Sequence, residues 1–294
     1  MHYDDYDDEQ QDLCALIREL EAEKQRREFF GFSEPKNSQV PSPIAKSPRK
    51  RANFFSSLTE RIASHNILLL TEDGQAFVYS EQLGCYKPIQ NLVAWLANFF
   101  PEDTTNDLLS KDLGEVAQRL TWREKLQCTR DEFNRSRELV NLENGTFNLE
   151  TGELLEHDPR FRFTYQIKAR YLEDPGRIYC PVFDEFCRSS LDGDPQKRQL
   201  LLEMIGYICS DLTAGKCAFF LKGQPNSGKS VIAEFIGRLF DPSLVSNVPL
   251  HQLGDRFFRA ELADKKINIA GEIAGRALRD ISIFKSITGG DRIA

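Results

Sequence analysis

The sequence predicts an α/β fold, and three observations predict it. Cys217 to Leu221 is a continuous apolar run that passes into the loop GQPNSGKS at Gly223–Ser230, and then into Val231, Ile232, Phe235 and Ile236 at helical spacing. Lys266 to Ile273, KINIAGEI, alternates Ile267 and Ile269 with Asn268 and reads as a second short strand with an acid, Glu272, at its end. Ahead of both, helical patterns are interleaved with strand-like runs joined by turn dipeptides, a mixed α+β and helical region. Forty per cent of the 294 residues are hydrophobic, enough for a substantial core.

Four segments follow from composition. Residues 1–53 read as a disordered acidic tail and basic linker. Asp4, Asp5, Asp7, Asp8, Glu9 and Asp12 have no Lys or Arg among them, and Pro35, Pro41, Pro43 and Pro48 mark a linker that ends in the basic run Lys46 to Arg51. Such a segment lacks the apolar density to offset its ordering entropy and is expected to be dispensable for folding. Residues 54–138 form a small α+β region. Phe54, Phe55, Leu58 and Ile62 repeat at helical spacing, Ile67 to Leu70 is a short buried strand, Asp73-Gly74 is a turn, Phe77 to Tyr79 is a strand, and Ile89 to Phe100 is a helix. Residues 139–215 hold hairpin chemistry at Asn144-Gly145 and Thr151-Gly152. Two helices follow, Pro181 to Leu191 and Pro195 to Cys209, each opening on a proline that is tolerated in the first turn. Residues 216–294 carry the strand, loop and helix described first.

The formal net charge of -7 argues against a general basic surface for nucleic acid, so any such contact is local. Seven cysteines without a C-x-x-C pair suggest reduced thiols and neither a disulfide framework nor zinc. The longest apolar stretch, Leu92 to Phe100, falls short of the ~20 residues of a membrane span, so the sequence reads as soluble and cytoplasmic, with no membrane partner.

Gly223, Gln224, Pro225, Asn226, Ser227, Gly228, Lys229 and Ser230 match G-x-x-x-x-G-K-[ST] in the strand-to-helix context that its mechanism needs. The glycines let backbone N–H groups and the positive end of the next helix face phosphates. Lys229 then bridges the β- and γ-phosphates of ATP, and the Ser230 hydroxyl ligates Mg²⁺. Such a loop also needs an acid on a neighbouring strand to hold metal and attacking water. Glu272 is the candidate, although the residues alone leave a solvated strand-end glutamate equally open. Gly289-Gly290 taken alone reads as an ordinary turn.

The stretches LVNLENGTFNLETGELLEHDP, CPVFDEF, LLLEMIGYICS, FFLKGQPNSGKS, LGDRFFRAELADKKINIAGEI and FKSITGGDRI run in order from Leu139 to the end of the chain. Together they resemble the helicase part of the poxvirus- and phage-type primase-helicases, superfamily 3 helicases with an AAA+-like P-loop NTPase core. The resemblance implies an ATP-driven replicative DNA helicase in which a homo-oligomeric ring, a hexamer, moves single-stranded DNA through its pore. It assigns nucleotide and Mg²⁺ to Lys229 and Ser230, metal and water to Glu272, and an additional motif beside the active site to Lys285, Gly289, Gly290 and Asp291. Where relatives often carry two adjacent acids, this chain has Gly271 before Glu272, so Glu272 alone serves both roles. On this resemblance the next core strand, a DNA-contacting hairpin and a neighbour-completing arginine are expected beyond Ala294. The core is then incomplete, and these residues by themselves are not expected to unwind DNA. The alternatives are a P-loop ATPase with another task, and an assembly protein that binds nucleotide without turnover.

Overall fold

The computed structural model describes residues 55–56, 59–60, 62–63, 67–98, 110–174, 179–212, 214–271 and 281–290. The expected tail and linker, Phe54, Leu58, Phe99 and Phe100 lie outside them. The chain divides into two compact units, one within residues 1–64 and 90–124 and the other within 65–89 and 125–294.

The first unit is helical where described. Residues 55–56, 59–60 and 62–63 are helical, with Phe55, Thr59 and Ile62 buried, and the Thr59 hydroxyl donates to the Phe55 carbonyl at 2.8 Å. Helix α1 (Leu92–Ala97) is capped by Asn91, whose side chain accepts from the Ala94 N–H at 3.0 Å. It starts later than the sequence pattern suggests because Ile89 belongs to a strand. Helix α2 (Ser110–Thr121) buries Leu113, Val116, Ala117 and Leu120, the i, i+3, i+4, i+7 stripe of an amphipathic helix, and packs on α1.

The second unit opens with a sheet of β1 (Leu68–Thr71), β2 (Ala76–Ser80), β3 (Cys85–Ile89) and β4 (Gln127–Cys128), in the order β3-β2-β1-β4. The β1–β2 hairpin turns at Asp73-Gly74 with Gly74 at φ 80°, and β4 pairs parallel to β1. β3 contains Pro88, which an edge strand tolerates because its missing N–H removes no obligatory ladder bond. At the turn, the Thr71 hydroxyl and the Arg130 guanidinium both donate to Asp73, and together they hold its carboxyl down to about 2 from the ordinary 3.8. A carboxylate so depressed contributes stability above its unfolded pKa and loses it as pH falls. The stability difference between wild type and Asp73→Asn, read from urea denaturation, is therefore expected to shrink as pH drops from 3.8 toward about 2.

A second sheet joins β5 (Leu139–Leu142), β6 (Gly145–Asn148) and β7 (Leu154–Leu155) in an antiparallel meander. Asn141 is fully buried, and its amide donates to the carbonyls of Leu83 at 3.0 Å, Gly84 at 3.3 Å and Tyr165 at 2.8 Å. The Tyr86 N–H also donates to the Phe163 carbonyl at 2.7 Å, which ties the first sheet to the segment after β7, and Cys85, Leu139 and Phe163 bury one another, so side chains fasten the two sheets.

Helices α3 (Pro181–Ser190) and α4 (Pro195–Cys209) follow the sequence pattern, and Asp194 caps α4 by accepting from the Gln196 N–H at 2.8 Å. Next come α5 (Lys229–Arg238), β8 (Val245–Ser246), α6 (Arg256–Ala260), β9 (Ile267–Asn268) and α7 (Ile281–Gly289), with β8 and β9 paired in parallel. Val140, Tyr165 and Ile167 form one core cluster with Cys187 of α3, Leu201 and Met204 of α4, Ile232 and Ile236 of α5, and Phe240.

Two further elements depart from the sequence reading: among the described residues the strand expected over Lys266 to Ile273 is paired only at Ile267–Asn268, and the one expected before the glycine loop is absent. The apolar run Cys217 to Leu221 predicts a strand covered on both faces, yet it has no regular secondary structure, and Phe219, Phe220 and Leu221 are exposed. Strand assignment needs a hydrogen-bonded neighbour, and among the described residues none runs beside this segment.

Candidate functional site

The loop Gly223–Ser230 sits at the head of α5, and its conformation explains its composition. Asn226 and Gly228 have φ of 62° and 82°, a left-handed region that asparagine tolerates and glycine enters freely. A Cβ on Gly223 would lie 2.6 Å from Ser227 Oγ, and one on Gly228 would lie 2.7 Å from Phe186 Cε2 and 2.8 Å from Ser190 Oγ. The second glycine therefore lets the head of α5 press against α3. The Ile232 N–H closes the first turn on the Gly228 carbonyl at 3.1 Å, while the N–H groups of Gly228, Lys229, Ser230 and Val231 have no acceptor among the described residues. These orphan donors, at the positive end of a ten-residue helix, suit an anion.

Lys229 folds back over the loop. Its ammonium donates to the carbonyls of Gly223 at 3.0 Å and Gln224 at 2.7 Å, and to Ser227 Oγ at 3.2 Å. All three protons are thereby engaged, so a phosphate oxygen would have to replace one of these acceptors. Ser230 stands exposed on the first turn of α5.

The other expected site residues are only partly placed. Glu272 and Asp291 lie outside the described residues. Lys285 is exposed on α7, Gly289 is that helix's last residue, and Gly290 follows at φ 76°. The ring of Phe284 on α7 lies 6.3 Å from that of Phe220, which brings α7 beside the apolar segment leading into the loop. No group of His, Cys, Asp and Glu among the described residues could hold a metal by itself.

Beneath the loop helix lies a polar cluster that sequence reasoning missed. Lys266, the residue before β9, has a largely but not fully buried side chain that donates to the Ser210 carbonyl at 2.6 Å and to the Asp211 carboxylate. Its ammonium also lies 5.1 Å from the centre of the Tyr165 ring. The Tyr165 hydroxyl donates to the other Asp211 oxygen, and burial, reinforced by that carboxylate, drives the phenol far above its usual range. Asp211 and Tyr165 lie 55 and 101 residues before Lys266 in the chain. Only Lys266, a cation at the start of an apolar strand, could have drawn notice. The thiols of Cys85 and Cys128 are pushed up to about 11 by burial, which marks them as packing groups, not nucleophiles.

Among the described residues no helix is long and apolar enough to cross a membrane. Comparison with known proteins gives two family matches. Residues 221–294, which include the glycine loop, β8, β9 and α7, match a family of unknown function, DUF5906. No curated protein matches the chain. Residues 62–191 match the family described as D5 N terminal like, a domain of the N-terminal region of phage and viral primase-helicase replication proteins, and this similarity supports a role in replication.

Proposed function

We propose that this chain is the nucleotide-binding module of a viral or phage replicative helicase, with ATP–Mg²⁺ bound at Gly223–Ser230. The observation that carries the reading is the loop itself. Its left-handed Gly228 seats α5 against α3, and it offers N–H groups that have no acceptor among the described residues, together with the Lys229 ammonium. Bound ATP–Mg²⁺ would supply the phosphoanhydride whose cleavage drives strand movement. The chain's residues would do the holding. The N–H groups of Gly228 to Val231 would donate to phosphate oxygens, Lys229 would exchange a loop carbonyl for one of them, and Ser230 would offer its hydroxyl to the metal. Glu272 is assigned to metal and water on the resemblance alone. Single-stranded DNA as partner and a hexameric ring rest on that resemblance too, while the similarity of residues 62–191 supports the replication role alone.

Lys229→Ala tests the reading. A charge-assisted bond is worth about 1.5–3 kcal/mol, so ATP–Mg²⁺ affinity measured by titration calorimetry is expected to fall about tenfold or more. Equal affinity in the two proteins would remove the loop from the site.

A further inference from the structure

We infer that Ser227 is a positioning residue for Lys229: its hydroxyl holds the ammonium over the loop and keeps hold of it while a phosphate oxygen displaces one of the loop carbonyls. The inference rests on the nucleotide reading and adds to it a side chain that acts on phosphate only through the lysine.

The loop backbone turns Ser227 inward. Asn226, in the left-handed region at φ 62°, redirects the chain just before it. The Ser227 N–H then closes the turn on the Gln224 carbonyl at 3.3 Å. Gln224, Pro225 and Asn226 are exposed, whereas Ser227 is half-buried. Its Oγ accepts from the Lys229 ammonium at 3.2 Å. The space for that oxygen comes from Gly223, because a Cβ there would lie 2.6 Å from Ser227 Oγ but 3.4 Å from Ser227 Cβ. Gly223 is outside the left-handed region, so this close approach, and not its backbone conformation, calls for glycine at the loop's first position.

The three acceptors of Lys229 are not alike. The carbonyls of Gly223 and Gln224, at 3.0 and 2.7 Å, are fixed by the loop backbone. The hydroxyl of Ser227 sits on a rotatable side chain and can turn with its donor. Among the described residues no carboxylate pairs with Lys229, so the loop's own oxygens do the holding. An ammonium has three protons and accepts nothing. When it swings toward a phosphate, a carbonyl bond must break, and the hydroxyl is the contact able to follow. Without that contact the long lysine side chain is held by fewer bonds, and more of the cost of ordering it falls on the binding step. Ser227 thus differs in task from Lys229 and Ser230: it meets neither phosphate nor metal.

A double-mutant cycle on the full chain, read by titration calorimetry with ATP–Mg²⁺, separates positioning from direct contact. Ser227→Ala is expected to lower affinity about threefold. Its melting temperature should stay within about 2 °C of wild type, since the lost bond joins residues two apart in one loop. Ser227→Thr keeps a hydroxyl on the same carbon and is expected to bind within about twofold of wild type. In a Lys229→Ala background, Ser227→Ala is expected to cause no further loss, because a group acting through another then has nothing to act on. Affinity in Ser227→Ala equal to or above wild type would overturn the inference, as would Ser227→Thr binding no better than Ser227→Ala. A loss that persists without Lys229 would overturn it too, by making Ser227 a direct phosphate ligand. A wild type that binds no nucleotide, or Lys229→Ala binding as wild type does, would instead overturn the nucleotide reading and this inference with it.

Discussion

Lys266→Ala is expected to destabilise the protein by about 3–5 kcal/mol, because it leaves the Asp211 carboxylate buried without its cation. The side chains of Lys266 and Asp211 are only 10% and 19% exposed. Water therefore has little room to replace the ammonium, and the Tyr165 hydroxyl supplies one donor but no charge. Urea denaturation should show a large drop in the transition midpoint. Replacing Asp211 by leucine and Lys266 by methionine together should recover most of it, since no charge then remains to be solvated. The pair Arg188–Glu185 is the control, with side chains 70% and 62% exposed, where Arg188→Ala should leave the transition midpoint essentially unchanged because water replaces the lost partner. A loss below about 1 kcal/mol for Lys266→Ala would mean that solvent already reaches the carboxylate.

Gly228→Ala is the second large effect, and it acts twice. The left-handed backbone costs an L-residue about 1–2 kcal/mol, and forcing the new methyl toward Phe186 and Ser190 adds about 1–3 kcal/mol of overpacking. Both ring and helix would have to move, and the head of α5 would move with them. ATP–Mg²⁺ affinity should then fall about tenfold or more. Phe186→Leu added to Gly228→Ala relieves the steric part and leaves the backbone part, so partial recovery of thermal stability is expected. Full stability in Gly228→Ala alone would show that α3 does not press on the loop.

Much of the local structure was legible because its causes are local. Pro181 and Pro195 mark the starts of α3 and α4, and Asp73-Gly74 marks the first hairpin. Several elements escaped that reading, among them β3, α2 and the short β4, β8 and α6. β3 was hidden because Pro88 argues against a strand, and only the sheet order reveals that this strand is an edge. In α2, Leu113, Val116, Ala117 and Leu120 form a stripe of helical period that the sequence does carry. The unpaired state of Cys217 to Leu221 was not legible at all, because an apolar run states a preference for pairing and not whether a neighbour exists. The candidate site divides in the same way. Its loop is contiguous and announces itself, whereas Tyr165, Asp211 and Lys266 meet only through tertiary packing.

The core cluster that gathers Val140, Tyr165 and Ile167 with Cys187, Leu201, Met204, Ile232 and Ile236 bears on how such chains can recombine. Its first three members and Cys187 lie within residues 62–191, Ile232 and Ile236 within residues 221–294, and Leu201 and Met204 between the two matched regions. Each matched region looks portable in sequence, yet neither carries a whole interior. A crossover anywhere between 191 and 221 would join halves whose side chains had been fitted to different partners. Lineages that exchange these regions should therefore exchange α4 with one of them and accumulate compensating changes in the other. In this unit, what is inherited as a block and what folds as a block need not share an edge.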